Sequence, residues 1–142
     1  YYQNLQLFAR TSDDCSTIYC TRKKYHGGCS NITIKDFVMW ADVAHPIMIG
    51  LHSETSEDEL IDNVLYDGVE ILEHAENQID YQGCIGINNG DNITVKNVRF
   101  ENLTINGKLI SDDMPGKPRW YKTADMANIY VNDHVEGLKF SK

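Results

Sequence analysis

The sequence predicts an all-β fold in which short parallel strands stack in register as a solenoid of about four coils. Three observations predict it: a six-residue motif recurs along the chain, a second short strand recurs between its copies, and no long stripe of helical period is present. Asn, Gly, Thr and β-branched residues dominate, and apolar residues alternate within the repeats as they do in strands. We expect residues 1–142 to form a single domain.

The six-residue motif has the form apolar, any, Asn/Asp/Gly, apolar, any, large apolar. Its copies begin at residues 2, 34, 61, 95 and 135, so the steps between them are 32, 27, 34 and 40 residues. Uneven steps indicate a constant structural unit interrupted by loops of varying length, and we expect the copies to lie over one another. The Asn at the third position (Asn4, Asn63 and Asn97) suits a turn in which its amide bonds along the stack. The copies are Tyr2–Leu7, Ile34–Met39, Ile61–Tyr66, Val95–Phe100 and Val135–Phe140.

A second short strand lies between successive copies of the motif. A β-sandwich, the main alternative architecture, would favour antiparallel hairpins with tight two-residue turns, and residues 88–92 (NNGDN) are the single good candidate for one. The solenoid is therefore the preferred fold. The copies of the second strand are Ser16–Tyr19, Ile47–Gly50, Ile85–Asn88 and Ile129–Asn132.

Composition and charge exclude several classes of function. The net charge of −8, from 21 acidic and 13 basic residues, disfavours nucleic acid as a partner. The one dense basic cluster, Arg22–Lys24, is typical of a solvated turn. No apolar run is long enough to span a membrane, so we expect no membrane association of that kind.

The four cysteines, at positions 15, 20, 29 and 84, include no CxxC pair, so we expect no zinc site and no other cofactor. Cys20 and Cys29 flank the loop TRKKYHGG. They fit a disulfide in an oxidising compartment, and they equally fit buried free thiols.

Two adjacent acids, Asp13 and Asp14, precede the first copy of the second strand. If Ile18 lies over Ile49, the register places Asp14 over His45, with coils about 4.8 Å apart. Carboxyl groups this close push their pKa values apart, which leaves one protonated as a general acid and the other ionised as a base. A neighbouring histidine can orient them or supply protons. A polar turn is the alternative interpretation of the pair.

The chain resembles the polygalacturonase-like glycoside hydrolases and the related dextranase–isopullulanase family. The matching segments are residues 11–15 (TSDDC), 18–19 (IY), 31–34 (NITI), 40–42 (WAD), 45–50 (HPIMIG), 90–92 (GDN) and 98–102 (VRFEN). The resemblance implies a right-handed parallel β-helix of the pectate-lyase-like type and inverting hydrolysis of a polysaccharide by a secreted or periplasmic protein. It also implies that Asp13 is the general acid, that Asp14 helps to activate water, and that His45 supports both.

The sequence departs from the polygalacturonase pattern in its carboxylates. An inverting pair needs about 6.5–9.5 Å between its carboxyl groups, a gap that adjacent residues do not easily supply. In the polygalacturonases the partner acid comes from the preceding coil, which here would lie upstream of Tyr1. Asp42, three residues before His45, is a candidate substitute, although it also fits a solvated loop.

A second departure concerns the substrate. The polygalacturonases carry an Arg-x-Lys that grips a uronate carboxylate, and the corresponding positions here are Gly86 and Asn88. Without those cations, and with net negative charge, a neutral dextranase-type glycan is favoured over a polyuronate. Trp40 is a candidate for stacking on a sugar ring, and it equally fits core packing.

A copy of the six-residue motif lies close to each end of the sequence, beginning at residues 2 and 135, and no polar capping coil is present at either end. Since solenoids need caps, we expect the chain to be a segment of a longer helix, with other coils or domains of the parent protein as neighbours. Two functions remain open: part of a glycoside hydrolase, or a non-catalytic β-helix that serves as a carbohydrate-binding or adhesin module.

Overall fold

A computed structural model describes residues 6–51, 53, 58–74, 83–87, 92–106, 129–131 and 135–141. These residues form strands and turns, and none of them lies in a helix. The strands are β1 (Leu7–Thr11), β2 (Ser16–Ile18), β3 (Cys29–Ala41), β4 (Ile47–Ile49), β5 (Glu59–Glu73), β6 (Ile85–Ile87), β7 (Ile93–Glu101), β8 (Thr104–Ile105), β9 (Ile129–Val131), β10 (Val135–Glu136) and β11 (Lys139–Ser141).

The strands form two parallel sheets, and successive strands alternate between them from β1 to β7. The larger sheet has the order β1-β3-β5-β7-β10, with β8 beside β5 and β11 beside β7, and the smaller sheet has the order β2-β4-β6-β9. The all-β prediction with parallel pairing is therefore confirmed. In the described part of the chain, the one antiparallel contact is an isolated bridge between Arg22 and Tyr25, so the hairpins expected of a sandwich are not seen there.

The predicted register of the second strand is confirmed. Ile18 pairs with Ile49, Ile49 pairs with Ile87, and Ile87 pairs with Val131. Each of these strands is three residues long, and the isoleucines of β4 and β6 are fully buried. The register therefore places one branched apolar side chain over the next, from Ile18 through Ile49 and Ile87 to Val131.

The predicted register of the six-residue motif is confirmed in the later copies and wrong in an earlier one. Val64 pairs with Val98 and Tyr66 with Phe100, as expected. Ile34, however, pairs with Tyr66 and not with Ile61, whose partner is Cys29. The physical reason is that the motif occurs twice in tandem on β3, over 29–34 and 34–39, with the central Ile34 shared. The first copy is also displaced, since Leu7 pairs with Phe37 and not with Met39, and residues 1–5 lie outside the described part.

The third position of each tandem motif bends the strand. Left-handed backbone is found at Asn31 and Asp36 in β3, with φ of 58° and 53°, and at Asn63 and Gly68 in β5, with φ of 55° and 69°. Asn, Asp and Gly tolerate this conformation better than other residues do. The amide of Asn63 donates to Asn31 Oδ1 at 2.8 Å, which confirms the predicted bonding along the stack. Asn97, with φ of 53°, likewise donates to a neighbouring strand, at Asp62 Oδ1. Asn4 lies outside the described residues.

The hydrophobic core lies between the two sheets, because apolar side chains from both belong to one buried cluster. Aromatic rings stack along one row of the larger sheet: the Tyr66 and Phe100 centroids are 5.3 Å apart, and those of Phe100 and Phe140 are 5.0 Å apart. The Tyr66 hydroxyl lies 2.8 Å from Ser16 Oγ in the smaller sheet, so a partly buried hydrogen bond also joins the two sheets. No helix of the described residues has the length and apolar character of a membrane span.

All four cysteines are free thiols in the structure. Burial raises the pKa of the Cys20 thiol to about 12, and burial also raises the pKa of Cys29.

We expect the reduced, folded protein to protect Cys20 from alkylation at pH 8. A thiol with this pKa has about a thousandfold less reactive thiolate than an ordinary cysteine. The measurement is iodoacetamide labelling of Cys20 followed by peptide mass spectrometry, with the urea-unfolded chain as the fast-reacting reference. Equal labelling rates in the folded and unfolded chains would contradict the expectation.

Candidate functional site

Two turns lie side by side where the strands of the smaller sheet begin. One turn, residues 12–15, joins β1 to β2, and the other, residues 42–46, joins β3 to β4. Backbone hydrogen bonds hold them together: Cys15 N–H donates to His45 O and Ser16 N–H donates to Pro46 O, both at 3.0 Å. The register of β2 and β4 thus continues into the turns and brings distant parts of the sequence together.

Asp14 and His45 are in contact, as the register predicts. Asp14 Oδ1 accepts the backbone N–H of His45 at 2.9 Å and lies 3.4 Å from His45 Nδ1. Thr17 Oγ1 donates to Asp14 Oδ2 at 3.1 Å. The Asp14 side chain is only 13% exposed and the His45 side chain 2%. Both groups are therefore shielded from water and held in fixed orientations.

The surroundings of Asp14 favour its ionised form. Burial by itself would raise the pKa of Asp14, but hydrogen bonds from the His45 side chain and backbone and from Thr17 outweigh it, so that the pKa is lowered. Asp14 is therefore a carboxylate at neutral pH.

Asp13 lies in a different environment from its neighbour. Its side chain is exposed, and its Oδ1 accepts the backbone N–H of Asp14 at 2.8 Å. Thr11 Oγ1 donates to the Asp13 carbonyl, which closes the turn. The two adjacent acids are thus separated by environment, one facing solvent and one turned against His45.

Gly86 lies against the imidazole of His45. A Cβ at this position would stand 3.1 Å from His45 Nε2 and 2.8 Å from Met48 Cε, so a side chain here would press on the imidazole and require the end of Met48 to shift. The predicted substrate-binding role of Gly86 stays a prediction. Asn88, the other predicted position on this strand, lies outside the described residues.

Asp42 and Trp40 are both engaged by Arg10, a residue that the sequence did not single out. Arg10 Nε donates to Asp42 Oδ2 at 2.9 Å, and Nη2 donates to Oδ1 at 3.0 Å. The same guanidinium stands 4.6 Å from the centroid of the Trp40 ring. Arg10 therefore neutralises the candidate substitute acid and covers one face of the candidate sugar platform. The signal for this contact is the pairing of Arg10 with Trp40 across β1 and β3, which requires the correct register.

His74, at the end of β5, is a second buried imidazole that the sequence did not single out. It is 3% exposed, and its Nδ1 has no hydrogen-bond partner in the described part of the chain. Burial, with a smaller contribution from His45, lowers the pKa of His74 to about 4. The pairing of Trp40 with Glu73 carries His74 toward the turn that holds His45.

We expect His74 to make the fold sensitive to mild acid. An unfolded histidine takes up a proton below about pH 6.5, whereas the folded protein resists protonation until about pH 4. Above pH 6.5, His74 is neutral in both states and does not lower the free energy of unfolding. As pH falls from 6.5 toward 4, the free energy of unfolding decreases because of this residue by about 3 kcal/mol at most. Urea unfolding at pH 7 and pH 4.5 measures the loss, and a His74→Gln variant should show a smaller difference between the two pH values. An equal difference in both proteins would assign the acid sensitivity to other groups.

Comparisons with protein-family models, with curated proteins and with solved structures return no match. In the part of the chain that the structure describes, no group of three or more His, Cys, Asp or Glu side chains is placed to hold a metal ion.

Proposed function

We propose that the chain is a segment of a right-handed parallel β-helix that carries the site of an inverting glycoside hydrolase. Alternation of the chain between two parallel sheets supports the fold, since each return to a sheet adds a strand beside the previous one. Left-handed residues at two points on β3 and on β5 support it further, because each bends the strand within one coil. As part of this proposal the protein is secreted or periplasmic.

The contact between an ionised, largely buried Asp14 and His45, next to an exposed Asp13, carries the proposal. Asp13 faces solvent, where it can give a proton to the oxygen of a glycosidic bond. Asp14 can accept a proton from the water that attacks the anomeric carbon as that bond breaks. His45 fixes the position of Asp14 and keeps it charged.

A neutral polysaccharide is the proposed substrate. Gly86 offers no positive charge beside the site, and the charge of Arg10 is paired with Asp42. The chain as a whole carries a net charge of −8, which repels a polyuronate.

A second candidate function, a non-catalytic carbohydrate-binding module, is favoured by a different observation. Both carboxylate oxygens of Asp14 already accept hydrogen bonds from the protein, and Asp42 is held by Arg10. Carboxylates that accept hydrogen bonds from other parts of the protein in this way also serve to hold neighbouring turns together.

Release of reducing ends from dextran, pullulan and polygalacturonate separates the two functions, with product anomers followed by NMR. The hydrolase predicts release of inverted product from a neutral glycan, and Asp13→Asn should abolish it. Asp58→Asn removes an exposed acid from outside the site and should leave the activity unchanged. Retention on immobilised glycan without release would support the binding module, and neither release nor retention would reject both functions.

A further inference from the structure

The loop that follows β2, residues 21–28, is fixed at its base. Glu59 accepts hydrogen bonds from the backbone N–H of Thr21 at 2.9 Å and from that of Gly27 at 3.1 Å. The Gly27 N–H also lies 3.0 Å from Thr21 Oγ1. Gly28 is packed so closely that a Cβ would stand 2.4 Å from the Leu60 carbonyl oxygen. The two ends of the loop are therefore drawn together before any covalent link is made.

Cys20 and Cys29 stand directly outside these two ends. Cys20 is 6% exposed and belongs to the hydrophobic core, and Cys29, the first residue of β3, is packed against the same core. The Cys20 N–H donates to Ser53 Oγ at 2.9 Å, which fixes the backbone of this cysteine. Each thiol contributes to the pKa shift of the other, so the two side chains are neighbours at the base of the loop. A disulfide between them requires the two sulfurs to approach to about 2.05 Å.

Cys15, the remaining cysteine near this strand, faces another partner. Its sulfur lies 3.1 Å from Thr11 Oγ1 in the turn before β2, whereas Cys20 follows β2. The described strand thus separates Cys15 from the base of the loop.

We propose that Cys20 and Cys29 form a disulfide that closes loop 21–28 when the protein meets an oxidising thiol couple such as oxidised glutathione. Cys29, the more accessible thiol, loses its proton to solvent and attacks oxidised glutathione, which gives a mixed disulfide and releases one glutathione thiolate. Cys20 then gives its proton to the released glutathione thiolate, and its sulfur attacks the Cys29 sulfur of the mixed disulfide and displaces the second glutathione as a thiolate, which takes up the proton that Cys29 lost to solvent. Two thiols are oxidised, and one molecule of oxidised glutathione is reduced to two of glutathione.

The link would hold a cationic turn in place. Within the loop, Arg22 and Tyr25 exchange backbone hydrogen bonds of 2.9 and 3.1 Å, and Lys23 and Lys24 form the tip. Closing a loop of this length restricts the unfolded chain, so the oxidised protein should melt about 5–10 °C higher than the reduced protein.

The test is oxidation of the reduced, folded chain with oxidised glutathione, followed by trypsin digestion without reductant. Cleavage after Arg10, Arg22, Lys24 and Lys35 should give peptide 11–22 joined to peptide 25–35, at a mass two hydrogens below the sum of the reduced peptides. Because peptide 11–22 contains both Cys15 and Cys20, two variants assign the link. Cys15→Ser should keep the joined peptides and the rise in melting temperature, and Cys20→Ser should lose both.

Joined peptides that persist in Cys20→Ser and vanish in Cys15→Ser would overturn the proposal in favour of a Cys15–Cys29 link. Failure of wild type and Cys15→Ser to form joined peptides would overturn it as well, as would a link that leaves the melting temperature unchanged. None of these readouts depends on hydrolytic activity, so the result stands apart from the proposed function.

Discussion

Under the proposed hydrolase function, replacement of Asp14 by Asn is expected to lower hydrolysis of a neutral polysaccharide by about 10²- to 10⁴-fold, the usual contribution of a general base. Asn has nearly the same shape and can still accept the His45 N–H through its carbonyl oxygen, so the turn should persist. It has no ionised oxygen, however, and cannot take a proton from water. The measurement is kcat and KM on the glycan from which the proposed activity releases reducing ends, with the loss expected in kcat.

Thr17→Val is the matched control for this substitution. It removes the hydrogen bond to Asp14 Oδ2 and leaves the carboxylate, the His45 contact and the side-chain shape in place. We expect a loss of about tenfold or less, as one donor to the carboxylate is removed. Full activity in Asp14→Asn would show that Asp14 only fastens the two turns.

Asp14→Asn should also change how the free energy of unfolding depends on pH. The pKa of Asp14 is lowered in the folded protein, so the carboxylate stabilises the fold above the pKa of an unfolded aspartate, 3.8. This stabilisation is lost as pH falls through the lower folded value. Asp14→Asn should therefore be less stable than wild type at pH 7, and the difference should shrink in acid.

Replacement of Phe100 by Ala is expected to destabilise the fold by about 3–5 kcal/mol, the usual cost of emptying a buried aromatic site. Phe100 is fully buried, and its ring is stacked between those of Tyr66 and Phe140. Truncation leaves a cavity in the middle of the stack and removes two ring contacts. Urea unfolding followed by circular dichroism measures the loss.

Phe140→Ala supplies the comparison, because Phe140 lies at the end of the described stack and is 47% exposed. Its removal should cost about 1–2 kcal/mol, since less apolar surface leaves the core. Equal losses in the two variants would contradict the view that the centre of the row carries the stability.

The parts of the fold that sequence reasoning found are those with a single possible alignment. The short strands of the smaller sheet each carry a branched apolar residue at their first or last position, so matching Ile18 to Ile49 is sufficient to place Asp14 beside His45. The all-β class and the turn-forming role of Asn63 followed from residue types that disfavour helices and tolerate left-handed backbone.

The parts that it missed depend on contacts between distant residues in an ambiguous register. Because β3 carries two overlapping copies of one motif, the sequence alone could not show that Ile34 pairs with Tyr66. The approach of His74 to His45 depends on this alignment of β3 with β5, and the ion pair between Arg10 and Asp42 depends on the alignment of β1 with β3. Neither contact has a local signature.

The side-chain hydrogen bonds at the strand bends affect the order in which the strands unfold. Asn63 is bonded to β3 through Asn31, and Asp67 of the same strand accepts the amide of Asn102, beyond β7. An inner strand can therefore separate only after the hydrogen bonds to the strand outside it have broken. Unfolding should accordingly proceed inward from the outermost strands. Amide protons of β5, shielded on both flanks, should therefore exchange with deuterium more slowly than those of β1.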